Sequence, residues 1–191
     1  MARTRSALLE AAAGCLATYG IRKTTMVDVA SRSGVAKATL YNHFRTKEDL
    51  LTALVEERVR SLTAAAVAAA GRDGLAAALG GVASALAEDA ALRRAAAEEP
   101  ALLAPLAVPG PSRGWQQARE AVAAVLAAGR ARSGQVEVEL VLRWVVSQLW
   151  WPAAEVTGVA PLVVAVGGAQ PPVAAPAMPV QTVAGVGWPE A

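Results

Sequence analysis

The sequence predicts an all-α protein in two parts, a small N-terminal three-helix unit and a larger C-terminal helical part. Three observations carry that expectation. Alanine fills 20 of the 48 residues from 61 to 108, and it is the side chain that loses least on entering a helix. Near the start, Leu8, Leu9, Ala12, Cys15, Leu16 and Tyr19 recur at three- and four-residue spacing, the period of an amphipathic helix. Finally, Thr25 stands three residues before Asp28, and Thr46 three before Asp49, the pattern of a helix start in which two orphan N–H groups are satisfied reciprocally. With 191 residues, 54% of them hydrophobic and only 18% charged, the chain can bury a core, and disorder throughout is excluded.

The elements follow in order. A first helix covers residues 4 to 19 and Gly20 ends it. A second runs from about 26 to 32 with Val27, Val29 and Ala30 inward, and Gly34 lies just past its end, where a positive φ is easily taken. A third short helix spans about 37 to 44, with Leu40 and Phe44 packing inward. Two short helices joined by a glycine-containing turn form a helix-turn-helix unit. A fourth helix begins near Lys47 and continues to about 70, its stripe made by Leu50, Leu51, Leu54, Val55, Arg58 and Leu62. Residues 74 to 98 form one or two alanine-rich helices, broken near Glu99–Pro100. Four prolines between 100 and 111 predict a loop or short turns there. Further helices are expected over 112 to 132 and 134 to 151, the latter apolar nearly all round and therefore buried against core on one face and a partner chain or ligand on another.

Composition excludes several classes of chemistry. One cysteine, Cys15, and one histidine, His43, allow neither an intramolecular disulfide nor a Cys/His metal cluster within the chain. Cys15 sits on the apolar side of its helix, where packing is its expected role. No general base stands at a convincing spacing, so no enzyme, catalytic residue, metal or cofactor is expected. The N-terminus lacks the continuous apolar run of a secretory signal, and a cytoplasmic location is expected. Residues 156 to 189 carry no charge, but six prolines and five glycines interrupt them and argue against a membrane span.

Charge is distributed unevenly. Residues 1 to 60 hold ten Lys/Arg against six Asp/Glu, and residues 61 to 191 hold eight against ten. Between Ile21 and Lys47, six basic residues face Asp28 alone, the footprint of a polyanion partner. On the third helix Lys37, Thr39, Asn42 and His43 project away from Leu40 and Phe44. Lys can donate to guanine, Asn can pair with adenine and Thr can touch the thymine methyl in a major groove. The Tyr41 hydroxyl suits a phosphate oxygen, and Lys47 with the first N–H groups of the fourth helix can hold another.

The stretch Thr24-Thr25-Met26-Val27-Asp28-Val29-Ala30, then Gly34-Val35-Ala36-Lys37-Ala38-Thr39-Leu40-Tyr41-Asn42-His43-Phe44 and Thr46-Lys47-Glu48-Asp49-Leu50-Leu51, resembles the TetR family of bacterial transcriptional regulators. The resemblance covers roughly residues 5 to 55. It implies a homodimer whose N-terminal helices bind double-stranded DNA at a palindromic operator, and whose C-terminal domain holds a small-molecule pocket and the dimer interface. Carried over by position, Thr25 and Tyr41 would hold phosphates, Lys37, Ala38, Thr39 and Asn42 would face base edges, Lys47 would pair with the DNA backbone, and His43 could do either. The corresponding division is a DNA-binding domain over 1–47, an effector-binding and dimerisation domain over 48–169, and an irregular Pro/Ala/Gly-rich tail over 170–191.

In the C-terminal part Trp115, Trp144, Trp150 and Trp151 offer the ring area that pockets use. Glu139, Arg143 and Ser147 lie on one stripe at four-residue spacing, either as a surface pair or as a polar anchor in a pocket or dimer seam. The expected ligand-binding set is Trp115, Arg143, Trp144, Ser147, Gln148 and Trp151. After Trp151–Pro152 the chain departs from the family pattern, because Gly158, Pro161, Gly167 and Gly168 interrupt the place of its final long helix. Two functions follow: a repressor released by a small hydrophobic effector, or a DNA-binding dimer with no small-molecule ligand.

Overall fold

The computed structural model describes residues 2–107, 110–150 and 159–167, and every regular element among them is an α-helix. Helix α1 spans Ala2–Lys23 but is broken at Gly20, whose φ of 80° and ψ of 171° no L side chain adopts comfortably. Buried Thr24 closes the last turn by donating its hydroxyl to the Gly20 carbonyl at 2.7 Å. Helix α2 is Met26–Ser33, α3 is Lys37–His43 and α4 is Lys47–Asp73. Both expected capping boxes are present, Thr25 with Asp28 ahead of α2 and Thr46 with Asp49 ahead of α4. Gly34 ends α2 at φ 68°, with its N–H on the Ser31 carbonyl.

The first core gathers Leu8 and Leu16 from α1, Val29 from α2, Leu40 and Phe44 around α3 and Leu50 and Leu54 from α4, together with Ala91 and Ala95 from α6 (Ala90–Glu98). Leu40 is fully buried, so α3 is pinned by its inner side and leaves its outer side to solvent. Cys15 is in this core, and burial raises its thiol pKa, in keeping with a packing role.

Helix α4 continues from the first core into a second. There its Ala66 and Ala70 meet Leu79 of α5 (Leu75–Glu88), Trp115 and Leu126 of α8 (Arg113–Ala128), Val141 of α9 (Gln135–Ser147), and Leu162 and Val166 of α10 (Val159–Gly167). A third, smaller cluster of Val55, Leu86, Leu92, Ala96 and Leu103 lies between the two. Leu103 belongs to α7 (Pro100–Ala107).

Several sequence expectations change. Val27 is 50% exposed and Met26 is buried in its place, because α2 turns its first residue, not its second, toward α1. Residues 100 to 107 are helical where the prolines predicted a loop: Pro100 is the first residue of α7, where a missing N–H costs nothing. Pro161 likewise falls in the first turn of α10, so a helix forms over Val159–Gly167 despite the weak pattern. Arg132 anchors that helix, its backbone N–H on the Val166 carbonyl at 3.0 Å and its guanidinium on the Ala165 carbonyl at 3.3 Å. Helix α8 stops at Ala128, four residues early, in a turn through Gly129 and Arg130 (φ 56°). Helix α9 packs Val138, Val141 and Leu142 into the second core and leaves Val136 76% and Leu140 42% exposed on its other side. Trp151 and the tail over 170–191 lie outside the described residues.

Candidate nucleic-acid interface and an apolar cavity

The outer face of α3 is built by what its inner face must do. With Leu40 and Phe44 fixed in the core, the helical period turns Lys37, Ala38, Tyr41 and Asn42 to solvent, Tyr41 being 44% exposed. Thr39 and His43 are half-buried and flank that face, His43 tilted against Phe44 with ring centroids 6.2 Å apart. The guanidinium of Arg5 stacks over the other aromatic contact of this corner, 5.6 Å from the Phe44 ring centre. No acidic residue lies within α3, so the exposed set is cationic and hydrogen-bonding.

Two expected phosphate ligands carry internal bonds. The Thr25 hydroxyl donates to Asp28 Oδ2 at 2.7 Å and accepts the Asp28 N–H at 3.2 Å, and the Thr25 N–H also donates to Oδ2 at 2.9 Å. The Thr25 hydroxyl, then its N–H, hold the Asp28 carboxyl below its ordinary pKa, so this corner keeps a negative charge and the Thr25 proton is already used. Lys47 is half-buried and donates to the Ile21 carbonyl, which ties the start of α4 to the end of α1. An ammonium has three donors, and the remaining two can still meet a phosphate.

A set of ion pairs links this domain to the rest. Arg58 of α4 places Nη1 3.2 Å from Glu10 Oε1 of α1 and Nε 3.3 Å from Oδ2 of Asp89. Asp89 is the N-cap of α6 and accepts the Leu92 N–H at 2.9 Å. Farther along α6, Arg94 and Glu98 form a 2.7 Å pair. Arg94 also donates to the Ala17 and Thr18 carbonyls, and Glu98 accepts the Ile21 N–H. Neither cluster was singled out from sequence. One signal was available: Arg58 interrupts an otherwise apolar stripe.

Among helices α4 to α9 lies an apolar cavity of about 120 Å³. Its walls are aliphatic, among them Leu62, Leu79, Val122, Val125, Val141 and Leu142, and Arg58 and Thr63 are its polar residues. None of the described residues expected to bind ligand lines it. Trp115 is buried in the second core beside it, and Trp144 packs at that core's edge. Arg143 faces solvent in a 3.2 Å pair with Glu139. Ser147 donates to the Trp144 carbonyl at 2.7 Å, and buried Gln148 donates to the same carbonyl and to Ser147. The rings are spent on packing, and aliphatic side chains from six helices, α4 to α9, leave the space instead.

Comparison with known proteins places these features. Residues 8–54 match the family model described as bacterial regulatory proteins, tetR family. Over 51 residues the chain is 41% identical to the HTH-type transcriptional repressor KstR2 of Mycobacterium tuberculosis, an alignment covering 27% of this chain and 26% of that protein. The chain thus aligns with about a quarter of that relative's length. Among solved structures, the TetR family repressor AlkX from Dietzia sp. strain DQ12-45-1b superposes with a TM-score of 0.64 at 20% identity, over 83% of this chain and 92% of that one. A complex of SmeT with triclosan superposes with a TM-score of 0.54 at 19% identity, over 87% and 93% of the respective chains. At these identities the structures show a common fold.

Proposed function

We propose that the chain is a transcriptional regulator of the TetR family, whose model matches residues 8–54, and that it acts as a repressor released by a small hydrophobic effector. In this reading a homodimer sets two α3 helices about 34 Å apart, one turn of DNA, in successive major grooves of a palindromic operator. Lys37, Ala38, Thr39 and Asn42 meet base edges, Tyr41 and Lys47 meet phosphates, and His43 lies at the edge of the contact. Thr25 joins the phosphate contacts only by turning its hydroxyl from Asp28. The observation that carries the reading is the exposed polar face of α3, held outward by buried Leu40 and Phe44.

Residues 1–47 are assigned to DNA binding and 48–169 to effector and partner. The exposed apolar residues Val136 and Leu140 on α9, with Val164 on α10, support pairing through these helices. The cavity favours a liganded regulator over a dimer with no small-molecule ligand. No single helix among the described residues is long and apolar enough to cross a membrane, and a regulator of this kind works in the cytoplasm, where bacterial DNA lies.

The test is binding to a palindromic fragment from upstream of the chain's own coding region, followed by fluorescence anisotropy. Tyr41→Phe combined with Asn42→Ala weakens binding, and an apolar compound that fills the cavity releases the DNA; coupling of this kind needs about 1–3 kcal/mol of differential affinity. Binding unchanged by the double substitution overturns the assignment of α3.

A further inference from the structure

We infer that Val27 is a specificity residue: from the wall of a shallow hollow between α2 and the start of α3, its side chain meets the C5-methyl group of a thymine next to the bases that Lys37 reaches. The inference rests on the DNA-binding reading above and adds to it a contact made by α2.

The hollow follows from how α2 is used. Met26, Val29 and Ala30 turn into the first core, and the helical period sends Val27 outward, 50% exposed. The core is complete without it, and valine is a mediocre helix former. Neither packing nor helix formation therefore calls for valine at this position. Val27 shares the hollow with Ala30, Ser31, Val35, Ala36 and Lys37. Gly34, left-handed at the end of α2, adds no side chain, and even an added Cβ would meet nothing within 4 Å. The turn thus leaves the hollow open.

Charge and chemistry select the occupant. No acidic residue lines the hollow, and Lys37 gives it a positive charge, which favours a polyanion. Lys37 also belongs to the outer face of α3, so a duplex seated on that face covers the hollow as well. Base pairs follow one another at about 3.4 Å, so Val27 and Lys37 address neighbouring positions. The thymine methyl is the apolar group that the major groove offers. The other base-edge atoms are donors and acceptors, which a valine would dehydrate without replacing their bonds. Burying one methyl-sized group against Val27 is worth about fourfold in affinity.

Fluorescence anisotropy tests this with the full chain and a duplex that the chain selects from a random pool. Each thymine of one half-site is replaced in turn by deoxyuridine, which lacks only the methyl group. One such replacement weakens binding of the unsubstituted protein by about fourfold and leaves that of Val27→Ala nearly unchanged. Val27→Ser gives the same pattern, and at a half-exposed position both variants keep the thermal midpoint. Selection repeated with Val27→Ala loses the preference for thymine at that position alone. The inference is overturned if no thymine methyl counts more for the unsubstituted protein than for the variants. It is equally overturned if Val27→Ala weakens every duplex alike, the mark of a contact with the sugar-phosphate backbone; either result leaves base reading by α3 standing. Failure of the unsubstituted chain to select any duplex removes both.

Discussion

Glu98 Oε2 on α6 accepts the backbone N–H of Ile21, 2.9 Å away, immediately past the break in α1 at Gly20. On the other side of the same break Arg94, one turn earlier on α6, donates to the carbonyls of Ala17 and Thr18 at 3.2 and 3.3 Å. One ion pair thus serves both halves of α1. The opposite side of α6 puts Leu92 on the cavity wall. Helix α6 thus joins the cavity wall to the helix that supports α2 and α3, through hydrogen bonds with defined partners.

The first prediction concerns pH. Bonds from Arg94, then from the Ile21 N–H, hold the Glu98 carboxyl below its ordinary value of 4.5. A carboxylate with a depressed folded-state pKa contributes stability that is complete above the unfolded value and is lost as pH falls through the folded one. Glu98→Gln therefore lowers the thermal midpoint at pH 7, and the two proteins converge below pH 4.5. A difference that stays constant from pH 7 to pH 3 would show that the charge plays no part.

Gly20→Ala tests the break itself. The conformation at φ 80° and ψ 171° is one that glycine alone adopts readily, and an added Cβ would stand 2.5 Å from Glu98 Oε2. The expected loss is about 1–3 kcal/mol in urea unfolding. Gly34→Ala, at φ 68° with open space around its Cβ position, costs less, about 1–2 kcal/mol. Equal losses at the two positions would mean that the contact with Glu98 adds nothing.

Leu140→Glu addresses pairing. Leu140 is 42% exposed beside Val136 on α9, so a charge there leaves the protomer folded, as judged by circular dichroism. A homodimer joined through this face dissociates, and sedimentation at micromolar concentration shows monomer. An unchanged dimer would move the interface elsewhere.

The N-terminal helix-turn-helix part was largely legible in the sequence because its signals are local. The two Thr-x-x-Asp boxes, Gly34 and the Leu40–Phe44 spacing act within a few residues, and the structure contains each of them. The cavity was not legible, because its wall is assembled from single aliphatic residues on helices distant in sequence, and nothing local marks Leu79 or Val141 as facing space instead of a neighbour. Tryptophans drew attention by size, yet a large ring such as Trp115 fills a core more readily than it borders a void. Helices α7 and α10 were hidden by their prolines, of which Pro100 and Pro161 fall in the first turn. The bond from Lys47 to the Ile21 carbonyl joins residues 26 apart and left no local trace.

The central claim is that α3 reads base edges in a two-fold arrangement, and selection of binding sites from a random pool of DNA duplexes tests it most directly. The account predicts enrichment of an inverted repeat with half-sites about one helical turn apart. Asn42→Ala relaxes the preference at one position in each half-site, by about 1–3 kcal/mol. No enrichment by the purified chain, or an enriched motif indifferent to the side chains of Lys37 and Asn42, would contradict it.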